Sequence, residues 1–180
     1  CTDIENGPTV DCLVDATQLP FKNNSVDAFI GVDVLHHFDQ PGSFFKLALR
    51  SLKPGGRIIF VEPWAGNFGY LFYRFVHHED CRRVEIPFGP AFTDNKSPMD
   101  GNAMIARQCL VESELQLMSY GFKTVHRSFF GCLSYLLTGG FQPWSAPKWV
   151  IKLMIKMEKL LPQSVMRIIG VRMVIVLEKI

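Results

Sequence analysis

The clearest hydrophobic pattern lies within residues 26–63, where two short apolar runs flank one amphipathic segment. The runs Val26–Val32 and 57–61 are rich in β-branched residues and almost continuously apolar, which predicts strands buried on both faces. Between them, apolar residues recur at helical spacing after Asp39, the predicted cap, and Pro41, the predicted first helical residue. Strand, helix and strand in this order predict a βαβ unit and therefore a parallel sheet.

Weaker patterns predict the other elements of the chain. Apolar runs predict strands over 10–14, Phe122–Phe130 and 171–177. Helical spacing of apolar residues predicts helices over 111–118 and 148–161. Strands and helices are therefore expected to be mixed along the chain.

The composition describes one globular chain of ordinary character. Of its 180 residues, 48% are hydrophobic and 20% are charged, which is enough apolar material for a core and excludes intrinsic disorder. No apolar run reaches the length of a membrane span. The five cysteines show no CxxC spacing, so neither a disulfide framework nor a zinc site is predicted, and a reducing cytoplasm suits them best.

Charge is distributed unevenly along the chain. Residues 1–121 contain 10 basic and 15 acidic side chains, whereas residues 122–180 contain 9 basic and 2 acidic ones. The C-terminal part is therefore predicted to face either an anionic partner or the acidic part of the same chain. The overall charge is +2, and no nucleic-acid partner is expected.

The predicted helix 148–161 combines this basic charge with a broad apolar face. Its lysines follow one stripe at helical spacing: Lys148, Lys152, Lys156 and Lys159. Two interpretations stay open, a peripheral contact with a membrane surface and the cover of a core with the lysines in water.

Three motifs between Asp15 and Pro63 carry a family resemblance: DATQLPF, SVDAFIGVDVLHHF and LALRSLKPGGRIIFVEP. In combination they resemble class I S-adenosylmethionine-dependent methyltransferases, nearest the branch that includes the ubiquinone and menaquinone biosynthesis enzymes. The resemblance implies S-adenosylmethionine as cofactor and an α/β fold, a Rossmann-like three-layer sandwich with a mostly parallel sheet. It also implies a single domain over 1–180, with lid insertions at 64–110 and 131–165, after the fifth and sixth strands.

The first strand of this family and its glycine-rich turn would precede the opening residues of the chain. No Gly-x-Gly sequence occurs in the chain. The glycines of that turn let the backbone approach the cofactor closely. We therefore expect the first strand to be missing, the domain to be N-terminally truncated, and residues 1–180 alone to bind S-adenosylmethionine weakly.

The resemblance assigns cofactor contacts to five residues. Asp3 would accept hydrogen bonds from the ribose hydroxyls, to which a carboxylate offers two acceptor oxygens. Asp15 would accept from the adenine amino group, and the backbone N–H of Ala16 would reach a ring nitrogen. Val32 and Asp33 would lie beside the methionine part of the cofactor. The alternatives are that Asp3 is a solvated terminal side chain and that Asp15 caps a helix or turn.

His36 and His37 follow the strand Val26–Val32 and are the predicted catalytic residues. Ligands of open parallel sheets bind beyond the carboxyl ends of the strands, which is where these imidazoles should lie. Because they are adjacent, only one is expected to point into the cleft and act as a general base. The alternative is a histidine that ties the loop to the following helix.

The aromatic segment after residue 63 is the predicted acceptor site. Trp64, Tyr73, His77 and His78 are its candidate residues, although the aromatic side chains would also suit the core of a lid. The run 77–80 contains two histidines and two acids, but adjacent histidines chelate one ion poorly, so no metal is predicted.

Taken together, the sequence predicts an enzyme that transfers a methyl group from S-adenosylmethionine to a small, hydrophobic acceptor molecule. The alternative is a non-catalytic module with the methyltransferase fold that binds a lipid or a protein partner. The expected location is the cytoplasm, and peripheral membrane contact through 148–161 is one of the two open interpretations of that helix.

Overall fold

The structure is a computed structural model that describes residues 1–77, 79–92, 97, 100–139 and 144–180. Its strands are β1 (Thr2–Asp3), β2 (Cys12–Leu13), β3 (Val26–Val32), β4 (Leu52–Pro63), β5 (Phe122–Phe130) and β6 (Arg172–Lys179). Its α-helices are α1 (Pro41–Ser51), α2 (Asn67–Phe75), α3 (Met104–Arg107), α4 (Glu114–Ser119), α5 (Leu133–Leu136), α6 (Lys148–Glu158) and α7 (Gln163–Ile169). Short 3₁₀ turns occupy Ala16–Gln18 and Leu35–His37, and a π turn, Gln108–Glu112, continues α3.

The main sheet has four strands in the order β3-β4-β6-β5. β3 pairs with β4 in parallel, and β6 is antiparallel to both β4 and β5. Three of the four strands therefore run in one direction. The predicted α/β fold and its βαβ unit are confirmed.

The N-terminal strands form a separate parallel pair. Thr2 lies opposite Cys12 and Asp3 opposite Leu13. The strand predicted over 10–14 is thus real but only two residues long. The two chain segments end at the same side of this small sheet, which brings Asp3 near the start of the turn Ala16–Gln18.

Helix α1 begins at Pro41 as predicted, but its predicted cap is wrong. Gln40 occupies the cap position, and no side chain caps the helix. Asp39 instead holds the distant segment 91–92, because its backbone oxygen accepts from Ala91 N at 2.8 Å and its carboxylate accepts from Phe92 N at 3.3 Å. A long-range hydrogen bond has replaced the local one that the sequence pattern favours.

The main core lies between α1 and the centre of the sheet. Phe45 of α1 is fully buried against Phe60 of β4 and Phe122 of β5. β6 contributes alternate buried side chains, among them Ile175 and Leu177. Burial of this apolar surface is the main stabilising contribution to the fold.

The prediction that β3 is buried on both faces is wrong for this structure. Ile30 is 72% exposed and Val32 is 57% exposed, whereas Gly31 is buried. The reason is its position in the sheet, since β3 is an edge strand and pairs only with β4 among the described residues. The apolar composition of a strand does not reveal whether a neighbour covers it.

The segment predicted as the first lid, 64–110, contributes most members of a second, smaller hydrophobic cluster. Its buried members are Ala65, Phe72, Tyr73, Cys81, Ala103, Met104 and the later Val171. The boundaries 64–110 and 131–165 themselves stay predictions. In the second segment, α6 is shorter than the predicted helix 148–161 and contains no buried residue. None of the described helices is long and apolar enough to cross a membrane.

Candidate active site

The candidate site lies where β3 and β4 end side by side. Val32 pairs with Val61 at the last register position of the two parallel strands. The turn Leu35–His37 follows β3, and Glu62 lies near the end of β4. This edge is the usual ligand site of an open parallel sheet.

Glu62 is the fully buried anchor of this edge. Its Oε1 atom accepts hydrogen bonds from Val34 N at 3.0 Å and Leu35 N at 2.8 Å. Its Oε2 atom lies 2.7 Å from Nδ1 of His36. With three partners, the buried carboxylate is satisfied, and it fixes both the loop backbone and the orientation of the imidazole.

His36 lies between two carboxylates. Its Nδ1 faces Glu62, and its Nε2 lies 3.4 Å from an oxygen of Glu79. Burial alone would lower the pKa of His36, but hydrogen bonds and charges from both carboxylates outweigh it and raise the pKa to about 9. At neutral pH the ring is therefore an imidazolium that has no lone pair for a substrate proton. This geometry fits the alternative, a histidine that ties the loop in place, and the role of His36 as a general base stays a prediction.

His37 is half-buried next to this pair. Its ring centroid is 4.1 Å from that of His36. Ligand atoms of His36, His37 and Glu79 all lie within 4.8 Å of one another, as do those of Asp33, His36 and Glu62. Either group could hold a metal ion, although the sequence predicts none, and that prediction stays open. The sequence could not reveal the first group, because Glu79 is distant along the chain from the two histidines.

The segment 100–104 closes over the cluster. A Cβ atom at Gly101 would come within 2.8 Å of His36 Cδ2, 3.0 Å of His37 Cε1 and 3.1 Å of Glu79 Cδ. The neighbouring Asn102 donates its N–H to the backbone oxygen of His36 at 2.9 Å. Only glycine allows the backbone to approach the three side chains this closely.

Asp33 forms a second charged contact at the same edge, one that the sequence did not suggest. Its carboxylate lies 2.6 Å from Nη1 of Arg172, which is buried and stands 5.5 Å from the ring centroid of Tyr135. Asp33 has a positive φ of 54°, a conformation in which Asp is more common than most residues. Val32, the other residue predicted here, is exposed beside it.

The remaining predicted cofactor residues lie at the small N-terminal sheet. Asp3 is exposed, and its Oδ1 accepts from Glu5 N at 3.1 Å. Asp15 caps the turn that begins at Ala16, because its Oδ1 accepts from Thr17 N at 2.8 Å and from Thr17 Oγ1 at 2.7 Å. The capping alternative is thus observed, and the adenine contact stays a prediction.

Two of the predicted acceptor residues, Trp64 and Tyr73, are buried in the interior. Trp64 is buried and donates from Nε1 to Arg167 O at 2.8 Å, and Tyr73 is buried and donates its hydroxyl to Val171 O at 2.7 Å. Neither side chain offers a surface to a ligand in this structure, so their contact with an acceptor stays a prediction. His77 lies 3.8 Å from Glu79, at the border of the histidine cluster. His78 lies outside the described residues.

Comparison with known proteins agrees with this arrangement. Residues 4–60 match a family model described as a methyltransferase domain. About a third of the chain is therefore similar in sequence to a methyltransferase domain. No curated protein matches the chain.

Solved structures resemble the chain in fold. A S-adenosylmethionine-dependent methyltransferase from Archaeoglobus fulgidus has a TM-score of 0.53 at 12% identity, over 99% of this chain and 74% of the other. One from Mesorhizobium loti has a TM-score of 0.48 at 14% identity, over 96% and 72%. The cyclase SpnF has a TM-score of 0.44 at 18% identity, over 94% of this chain. The chain spans only 56% of the length of SpnF.

The protonated state of His36 can be measured directly. We expect its ring to titrate in NMR spectra with a midpoint of about 9. Because this value lies above the ordinary 6.5, the contribution of the imidazolium to stability is complete below about pH 6.5 and is lost as the pH rises through about 9. Glu79→Gln removes one carboxylate and should lower the midpoint, whereas the exposed control Glu5→Gln should leave it unchanged. A wild-type midpoint near 6.5 would contradict the double ion pair.

Proposed function

We propose that the protein containing this chain transfers a methyl group from S-adenosylmethionine to a small, hydrophobic acceptor. The observation that carries the proposal is the methyltransferase-domain match over residues 4–60, which begins just after β1 and ends within β4. Carboxylates and imidazoles follow β2 and β3, at the edges where a ligand would bind. The motifs between Asp15 and Pro63 favour an acceptor of the quinone-biosynthesis kind.

The residues at these edges fit the cofactor chemically. Asp3 is exposed at the end of β1 and uses only Oδ1 in a local hydrogen bond, so its carboxylate retains acceptor capacity for the ribose hydroxyls. Asp15 uses Oδ1 for its cap, and within the described part of the chain its Oδ2 accepts only from Gln18 Nε2, at 3.3 Å. Oδ2 can therefore also accept from the adenine amino group, next to the backbone of Ala16. Val32 and Asp33 would face the methionine part.

The bound cofactor supplies an electrophilic methyl group on a sulfonium ion. The protein would hold the cofactor and the acceptor in position and would supply a general base. Since His36 is held as an imidazolium, His37 is the candidate to accept a proton from a phenol or another protic acceptor. The ion pairs of Glu62 and Glu79 with His36 would hold the loop of His37 in place during the transfer.

The adenine contact is tested by calorimetry with S-adenosylmethionine. Asp15→Ala should weaken binding by about 1–3 kcal/mol, because the adenine amino group loses its acceptor. Asp15→Asn keeps an oxygen for the cap at Thr17 and separates loss of the cap from loss of the cofactor contact. Glu5→Ala is the control. The measurement uses the full-length protein that contains this chain, since residues 1–180 alone are expected to bind weakly. Unchanged affinity in Asp15→Ala would remove this residue from the site, and failure of the full-length wild-type protein to bind would contradict the proposed function.

The role of His37 is tested by turnover. With a hydroquinone that carries a short apolar chain as probe acceptor, His37→Asn should lower kcat by a factor of about 10²–10⁴, since a general base contributes that much. Binding of S-adenosylmethionine should not change. The matched control is His126→Asn, which alters an exposed histidine on β5. Equal kcat values for wild type and His37→Asn would exclude His37 as the base.

We further propose that the acceptor is collected at an anionic membrane surface through α6, with the protein otherwise in the cytoplasm. The outward side of this helix carries two adjacent stripes. One is apolar and contains Trp149, 70% exposed, and Met157, 54% exposed, and Leu160 continues it past the end of the helix at 85% exposure. The other is the lysine stripe that begins at Lys148. A helix that presents apolar and basic residues together suits a membrane interface, because the two attractions add.

Vesicle sedimentation tests this contact. Wild-type protein should sediment with vesicles that contain phosphatidylglycerol, and high salt should weaken the binding, because each lysine contributes about 1 kcal/mol near an anionic surface. Lys152→Glu plus Lys156→Glu should abolish it. The control Lys53→Glu plus Lys123→Glu makes the same change in net charge on the sheet. If the wild type stays in the supernatant at low salt, α6 has another role.

A further inference from the structure

A pocket separate from the histidine cluster lies beside α2 and α3. Its volume is about 400 Å³, and it is lined by Tyr70, Arg74, Cys81, Arg82, Arg83, Met104 and Arg107. Four of these seven residues are arginines. They come from three chain segments, so the fold, not a local run of basic sequence, brings them together.

Carboxylates neutralise only part of this charge. Arg82 pairs with Asp80 at 2.9 Å, and Arg83 and Arg107 share the carboxylate of Glu112. Among the residues that the structure describes, four guanidinium groups thus meet two carboxylates, which is an excess of two positive charges at the pocket. Among the described residues, Arg74 has no hydrogen-bond or ion-pair partner.

Two of the arginines are held rigidly. Arg107 donates from Nε to Glu112 at 2.7 Å and from Nη1 to Ala65 O at 2.7 Å, and it stands 5.8 Å from the ring centroid of Trp64. Arg83 is fixed from the other side of Glu112. These two therefore form the wall of the pocket. Arg74 is exposed, and Arg82 has an exposed side chain whose ion pair with Asp80 lies at the surface, so both can reach a ligand.

The positive charge of the arginines also acts on Cys81, which lines the pocket. Burial raises the pKa of the Cys81 thiol to about 11, and the charges of Arg107 and Arg74 act against this rise. The rest of the lining is suited to an apolar group: Met104 is buried, and Tyr70 is partly exposed with a hydroxyl that can donate to an oxygen.

We propose that this pocket binds a phosphate monoester group of an amphiphilic molecule. A phosphate monoester carries a charge of about −1.5 to −2 at pH 7, which matches the excess positive charge of the pocket. Guanidinium groups bind phosphate oxygens in a bidentate manner. The apolar part of the molecule would lie against Tyr70 and Met104.

A short stretch of backbone and two hydrogen bonds connect the pocket to the candidate active site. Arg82 follows Glu79, the partner of His36, by three residues, and Arg82 N donates to the side chain of Asn102, whose own N–H binds His36 O. If the proposed methyl transfer is correct, a phosphate held here would anchor an acceptor whose reacting part extends toward His37. The binding itself does not depend on methyl transfer.

Calorimetry with hexyl phosphate tests the pocket without S-adenosylmethionine or turnover, so its failure is distinct from a failure of the proposed function. We expect saturable binding at low salt. Arg74→Gln plus Arg82→Gln should weaken it at least tenfold. The control Lys53→Gln plus Arg57→Gln removes the same charge near the start of β4 and should leave affinity unchanged. If the double variant does not fold, judged by circular dichroism, Arg74→Gln alone is used, because this side chain is exposed.

Three results would overturn the proposal. One is the absence of saturable binding to the wild type. Another is an equal loss in the pocket variant and in the control, which would mean that only net charge matters. The third is equal affinity for hexyl glucoside, which would mean that only the apolar chain binds.

A vesicle experiment separates the two sources of such a phosphate. Vesicles of phosphatidylcholine with phosphatidic acid present the phosphate as a lipid headgroup. The comparison is made in the Lys152→Glu plus Lys156→Glu background, which removes the proposed contact of α6 with anionic vesicles. If sedimentation in that background is lost on adding Arg74→Gln plus Arg82→Gln but kept on adding the control pair, the ligand is a lipid. If only hexyl phosphate binding responds to the two arginines, the ligand is a soluble phosphoester. Both results support a phosphate site.

Discussion

One buried carboxylate organises the functional edge of the sheet. Glu62 is fully buried on β4 and accepts hydrogen bonds from two backbone N–H groups and one imidazole of the loop that follows β3. A buried charge is tolerated only while its partners remain in place, and removal of one partner from such a pair costs about 3–5 kcal/mol. The loop after β3 therefore has one favourable position, and His36 has one favourable orientation.

The contacts of His36 continue this hydrogen-bond network into segments outside the strands. Its Nε2 meets Glu79, and its backbone oxygen holds Asn102. The side chain of Asn102 in turn accepts from Arg82 N at 3.2 Å and Met104 N at 3.1 Å, and donates to Arg82 O at 2.8 Å. The candidate active site and the arginine pocket are thus parts of one hydrogen-bonded network. A displacement of the backbone at one of them should therefore also displace the other.

The parts of the fold that depend on local spacing could be predicted from the sequence. The βαβ unit and the strand Phe122–Phe130 are examples, because hydrophobic period and turn residues lie within a few positions of one another. The pairing of Glu79 with His36, and of Asp33 with Arg172, could not be predicted, since it depends on which loops meet at the sheet edge. The exposure of β3 depends likewise on neighbours, not on its own composition.

The uneven charge of the chain has two distinct explanations in the structure. Some basic residues of the C-terminal part face the acidic part: Arg127 pairs with Glu114, and Arg172 pairs with Asp33. The lysines of α6 form no ion pair with any described residue, and they stand beside exposed apolar side chains. Internal neutralisation therefore accounts for the basic residues of the sheet, whereas those of α6 remain available to an anionic partner outside the chain. A basic stripe next to exposed apolar surface adds little to the stability of the folded chain, and this is the physical basis of the binding role proposed for α6.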